Sequence, residues 1–129
     1  MAEFRLSGPA EDQIDEILAR SEEKFGELSR ERYAALLVAA MNEVASNPYG
    51  NMVTWKRLSS GKIGIFHIEH CRRRVADPPG IVKEPRHLQI FRVAQDDVVN
   101  IIGVLHDSML LDRAIRRVVR MNPDVEPSG

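Results

Sequence analysis

The hydrophobic period of this chain changes once, and that change constrains the fold more than any other feature. Up to Asn47-Pro48 most apolar residues recur at helical spacing, and beyond the stretch 47–51 they alternate every second position. A period of 3.6 buries one stripe of a helix, whereas a period of 2 buries one face of a strand. Helices therefore come before the main sheet, which places the chain in the α+β class of layered folds. A short alternating stretch over residues 3–7, with Phe4 and Leu6 on one side, adds an N-terminal strand ahead of the helices.

Gly8 and Pro9 stop that strand, and proline suits a first helical position because its missing N–H would have no partner there. Ala10, Ile14, Ile17, Leu18 and Phe25 then fall near one face, while Glu11, Asp12, Asp15 and Glu16 load the end where the helix dipole favours anions. Gly26 ends this helix. Ser29 is the expected N-cap of the next, with Leu28 and Tyr33 closing a hydrophobic staple. Tyr33, Leu36, Leu37, Ala40, Met41 and Val44 keep the helical spacing until Asn47-Pro48 closes the segment. Two helices joined by about three residues make an antiparallel hairpin.

Three strands are expected after it, over 62–70, over 86–93 and over 98–105, with the turn at Asp96-Asp97 pairing the last two. Leu88, Ile90 and Arg92 share one side, opposed to His87, Gln89, Phe91 and Val93. The stretch 98–105 is apolar on both faces and therefore reads as a central strand. After His106, the residues Leu110, Leu111, Ala114, Ile115, Val118 and Val119 form a final amphipathic helix, capped by Asp107 or Ser108, with Arg116, Arg117 and Arg120 toward its negative end. The expected architecture is an N-terminal strand, an α-helical hairpin, a three-stranded antiparallel sheet and a C-terminal helix. Residues 1–121 make one domain and 122–129 a tail.

A chain of 129 residues with 43% hydrophobic and 29% charged residues has the make-up of one ordinary globular domain. No apolar run approaches the roughly 18 residues of a membrane span. The N-terminus lacks a secretory pattern and the single Cys71 has no internal disulfide partner, so the expected location is the cytoplasm. A net charge of −1 conceals a polarity along the chain: residues 1–49 hold ten carboxylates and five Lys or Arg, and residues 56–92 hold nine Lys or Arg and three carboxylates. The second half offers a basic surface, or merely solvated faces.

Within that half, Arg72, Arg73 and Arg74 follow a strand, with Lys83 and Arg86 nearby in sequence. Arginine clusters of this kind pair with phosphates or acidic protein segments. His70, Arg92 and His106 are the candidates for proton transfer and charge stabilisation should the chain be catalytic. His106 either bonds backbone near a helix start or contacts a target, and Arg92 either pairs with a buried carboxylate or joins the basic cluster. No metal or other cofactor is expected: His67 and His70, on a strand, would point to opposite faces, and residues 59–64 have neither the length nor the helix of a phosphate loop.

The stretches RLSGPAEDQIDEI (5–17), RERYAALLVAAMNEVASNP (30–48), FHIEHCRRR (66–74), RHLQIFRV (86–93) and above all VLHDSMLLDRAIR (104–116), in this order, resemble the ParE and RelE toxins of bacterial type II toxin–antitoxin modules, and most closely the ParE, plasmid-stabilisation branch. The resemblance covers roughly 4–118. It implies a toxin neutralised by a small ParD-like antitoxin whose disordered C-terminal segment folds around it, in a hetero-oligomer. ParE-like proteins poison DNA gyrase, which implies a binding inhibitor without catalytic residues here rather than an enzyme. RelE-like relatives cut mRNA on the ribosome, often with a late tyrosine. The tyrosines here are Tyr33 and Tyr49, both early, which favours the gyrase reading; a third alternative is a non-toxic remnant that still binds antitoxin. Where the family often has an acidic residue after the methionine of its last motif, this chain has Leu110 and Leu111 after Met109, a candidate apolar contact for antitoxin or a second copy. The long loop through Asp77-Pro78-Pro79-Gly80 is a candidate target contact.

Overall fold

A five-stranded sheet separates two apolar cores, with a helical hairpin on one face and a single helix on the other. The computed structural model describes residues 2–126. In chain order it contains β1 (Phe4–Leu6), α1 (Gly8–Phe25), α2 (Glu27–Ser46), β2 (Thr54–Leu58), β3 (Gly61–His67), a 3-10 segment (Ile68–Arg74), β4 (His87–Val93), β5 (Val99–His106) and α3 (Leu111–Met121). The strand order is β1-β5-β4-β3-β2. β1 runs parallel to β5, and the other pairings are antiparallel.

The expected architecture is present, with one strand more than the period of the sequence suggested. β2 carries Lys56 and Arg57 in a five-residue stretch, so its alternation is masked by the charges that commonly protect an outer strand. β5 lies inside the sheet, as its two apolar faces required.

Ser7 begins α1, its hydroxyl accepting from the Ala10 N–H at 3.2 Å. Gly26, at φ +93°, is the whole joint between the helices, which therefore meet across one residue and not three. This left-handed conformation suits glycine, and it makes Gly26 rather than Ser29 the N-cap of α2. Ser29 instead meets the Ser21 hydroxyl across the hairpin at 3.2 Å. The buried stripe Tyr33, Leu36, Leu37, Ala40, Met41 and Val44 of α2 packs on Phe66, Phe91, Val99, Ile101 and Val104. On the opposite face Ile115 and Val118 of α3 cover Ile63, Ile65, Ile90, Ile102 and Leu105.

A β-bulge in β5 sets which of its side chains face the hairpin. Ile90 pairs with Gly103 and Phe91 with Ile101, so Ile102 is an extra residue. An extra residue resets the alternation of a strand. Val99 and Ile101 face the hairpin before the bulge, and Val104 does so after it. The groups displaced from the ladder are met from both sides: Gln13 Oε1 accepts the Val104 N–H at 2.8 Å, and Asn122 Nδ2 donates to the Ile102 carbonyl at 2.9 Å. Asn122, at the start of the expected tail, is thus buried; residues 127–129 of that tail lie outside the described residues.

Candidate functional site

The bulge brings His106 onto the hairpin face, directly opposite His87 on β4. Their rings meet edge to face with centroids 5.2 Å apart, and Tyr33 of α2 stands edge-on to His87 at 5.4 Å. The Tyr33 hydroxyl accepts the Arg86 N–H at 3.1 Å and hydrogen-bonds His87 Nδ1. Among its hydrogen-bond partners the Tyr33 hydroxyl has no acceptor but His87 Nδ1, so it donates its proton there and the neutral His87 ring carries hydrogen on Nε2.

Two further histidines are held the same way. His67 Nδ1 accepts the Glu69 N–H at 3.1 Å, and His106 Nδ1 accepts the Ser108 N–H at 3.1 Å. An amide nitrogen only donates, so both rings present Nε2–H. His67 Nε2 donates to Asp107 Oδ2 at 3.0 Å, and Arg86 Nε donates to Asp107 Oδ1 at 3.0 Å. The His67 hydrogen bond, aided by Arg86, holds the Asp107 carboxyl below the usual carboxylate range. Burial, then the neighbouring His106, pushes His87 down to about 4, so it is neutral at neutral pH. Burial raises the Tyr33 phenol.

Neither Asp107 nor Ser108 caps the last helix. α3 starts at Leu111 with Leu110 as its N-cap and no side-chain cap, while Asp107 is engaged by His67 and Arg86 and the Ser108 hydroxyl meets His106 Nδ1 at 2.7 Å. Of the two roles open to His106, the ring makes the backbone hydrogen bond.

Arg92 follows neither of its two expected courses. It is 4% exposed and reaches the β2–β3 turn, donating to the Ser60 hydroxyl at 3.0 Å and the Ser60 carbonyl at 3.3 Å, and burial lowers its pKa. It pairs with Asn100, whereas His87 pairs with His106. Five residues of strand separate Arg92 from His87, about 16 Å at roughly 3.3 Å per residue. The trio His70, Arg92 and His106 is therefore not gathered in one place.

β3 ends at His67, and residues 68–74, expected in part as strand, form the 3-10 segment. This placement also corrects the view of His67 and His70 as residues on opposite faces of one strand: His67 caps the segment, while His70 lies within it against Phe66. Three residues per turn send consecutive side chains in three directions. Arg72 Nε donates to the Val82 carbonyl at 2.8 Å, and Arg74 pairs with Glu43 of α2. Arg73 joins His70, Arg72, Lys83 and Arg86 around an open cleft of about 730 Å³, with Glu69, Glu84 and Asp107 on its walls. The cleft is thus mixed in charge, with Arg74 turned away from it. Beyond Asp107, Met109, Leu110 and Leu111 are exposed, Leu110 at 73%. Among the described residues no group of three or more His, Cys, Asp or Glu side chains is arranged to hold a metal ion.

Sequence reading missed Tyr33, His67 and Asp107 as members of one cluster. Tyr33 shares its helical stripe with core residues, and only the bulge makes His106 a neighbour of His87.

A small sheet with a helical hairpin on one face and a late basic helix on the other is the architecture expected of the ParE and RelE superfamily. Residues 4–111 match the family model of the ParE toxin of type II toxin–antitoxin system, parDE, and the chain belongs to that family. It is the toxin component of such a module, and its partner is an antitoxin. No curated protein matches the sequence. The family match ends where α3 begins. No helix among the described residues is long and apolar enough to cross a membrane.

Proposed function

We infer that this toxin acts in the cytoplasm by binding DNA gyrase, and that a ParD-like antitoxin restrains it in a hetero-oligomer. The observation that carries a binding rather than a cleaving mechanism is the position of Arg92. A phosphodiester cleavage site needs a free cation beside its proton donor and acceptor. Arg92 is buried against Ser60 about 16 Å along β4 from His87, and Arg86, which does stand at the histidine end, has its Nε committed to Asp107. The histidines nearest that point spend their Nδ1 atoms on a tyrosine hydroxyl and two backbone amides.

The antitoxin segment is assigned to the open cleft and its lip. Arg73, Lys83 and Arg86, with Arg72 behind them, suit carboxylates, and Leu110 and Leu111 suit the apolar residues of a segment that orders on binding. Arg74 contributes through its pairing with Glu43, by holding the 3-10 segment to α2.

mRNA cleavage on the ribosome draws on one observation, the Tyr33 hydroxyl beside His87, which brings an early tyrosine to the histidines. The two readings separate when the chain is expressed alone in bacteria. Gyrase binding produces broken chromosomes, filamentation and intact mRNA, together with loss of supercoiling by purified gyrase that added antitoxin reverses. Codon-spaced mRNA cuts with active gyrase would overturn it in favour of the nuclease, and undisturbed growth with soluble protein would favour the inactive remnant.

A further inference from the structure

At the outer edge of the sheet, four aromatic and small residues build a shelf. Gly64 on β3 lies directly opposite Trp55 on β2. A Cβ at Gly64 would stand 2.3 Å from Phe91 Cζ, so only a glycine lets the Phe91 ring lie over β3. Trp55 packs on Phe91 edge to face at 5.4 Å, and Tyr49 stacks on Trp55 at 5.3 Å with only 20° between the ring planes. Tyr49 is 70% exposed.

Beside this stack Arg57 faces Lys62 in register across β2 and β3. Like charges directly opposite each other destabilise a strand pair. Among the described residues neither has an ion-pair partner, whereas Lys56, on the other face of β2, pairs with Asp112. Tyr49, Trp55, Lys56, Arg57 and Lys62 line a cleft of about 330 Å³ with no carboxylate among the described residues. The larger cleft, by contrast, is walled by three carboxylates.

We propose that the Tyr49–Trp55 shelf with Arg57 and Lys62 is a binding site for single-stranded nucleic acid, a base stacking on the aromatic pair and the adjoining phosphates meeting the two cations. An acidic peptide would use the cations and leave the rings without a role. A nucleotide strand uses both, since every base has a flat π face and every link an anion. The site lies on an outer strand, so a chain can pass along the edge without threading the fold. It stands whether or not gyrase is the toxin's target.

Trp55 is the chain's single tryptophan, so its fluorescence reports on the shelf directly. Short oligothymidylate and oligouridylate are titrated into the full chain, with polyphosphate and polyglutamate as controls. The expected result is saturable quenching by the oligonucleotides, about ten-fold weaker binding in Tyr49→Ala and unchanged binding in Tyr49→Phe. Replacing both Arg57 and Lys62 by alanine lowers the salt dependence by about 1.4 in logarithmic slope, at roughly 0.7 per phosphate on a single strand. Tyr49 is exposed, so Tyr49→Ala tests the site without disturbing the core. A preference for one oligonucleotide upholds the site and assigns its natural ligand to DNA or RNA. Equal affinity of Tyr49→Ala, polyphosphate binding as tight as the oligonucleotides, absence of any oligonucleotide binding, or polyglutamate quenching in their place would overturn it, the last assigning the shelf to an acidic protein segment.

Discussion

The two polar surfaces of this sheet are built on opposite terms. At the end of β4 and β5, His67, His87, His106, Arg86, Asp107 and Tyr33 answer one another through defined donors and acceptors. At the outer edge of β2 and β3, Arg57 and Lys62 face each other, and among the described residues no carboxylate lines the cleft beside them. The first surface holds more of the residue types associated with chemistry, yet its charges are internally balanced and its rings are held in one tautomer. The second is chemically plainer and leaves its charge unmet. The histidines and Arg86 of the first surface largely hold the chain together, leaving Arg73 and Lys83 of the adjoining cleft for a partner, whereas at the second surface Arg57 and Lys62 are both unmatched among the described residues.

The largest test of this contrast is Gly64→Ala. The added methyl collides with the Phe91 ring on which Trp55 rests, and the expected loss is roughly 3 kcal/mol in urea unfolding, with a shifted Trp55 emission. An unchanged midpoint would show that the shelf is not held from beneath.

Acid should strike the histidine end. His87 titrates near 4 in the folded chain, against 6.5 for an unperturbed imidazole, so the unfolded chain takes up its proton first as pH falls. Its contribution is complete above about 6.5 and is lost between 6.5 and 4, roughly 2 kcal/mol after discounting for partial solvent screening. Asp107, also depressed, adds a loss in the same direction at lower pH. NMR titration of the imidazoles checks the assignment, and a His87 that titrates near 6.5 would refute it.

Tyr33→Phe removes one hydroxyl and leaves both the Arg86 N–H and His87 Nδ1 without their partner. A loss of about 1–2 kcal/mol is expected, together with a rise in the His87 pKa because its neutral form loses a donor. Lys62→Glu should do the reverse at the other surface. It turns a repulsive cross-strand pair into an attractive one and stabilises the fold by about 0.5 kcal/mol, while weakening oligonucleotide binding. A destabilised Lys62→Glu chain would mean that Arg57 and Lys62 are already neutralised. The smallest effect on stability, within about 0.5 kcal/mol, belongs to Leu110→Asp at an exposed position, yet antitoxin affinity should drop measurably in a pull-down or calorimetric titration.

Whether a feature is legible in the sequence depends on whether it is local. The stripe of α2, the glycine between the helices and the two-sided burial of β5 are each written in a window of a few turns. Arg72, Arg73 and Arg74 read as one cluster only if neighbours in sequence are neighbours in space, and a 3-10 turn separates them. β2 is hidden because an outer strand carries charges that mask its alternation. Tyr33 is legible as a core residue and illegible as a hydrogen-bond donor, since its partner is 54 residues away.

By itself the sequence determined the α+β class, the hairpin, the order of the later strands and the resemblance to a toxin family, because periodicity, helix-stopping residues and family motifs act at short range. Only the tertiary structure decided which polar residues meet. One extra residue in β5 turns His106 toward His87 and Tyr33, the register of β2 on β3 sets Arg57 against Lys62, and a missing side chain at Gly64 makes room for the aromatic stack. Pairing register, bulges and close approaches are settled by packing across the sheet, and no window along the chain contains them.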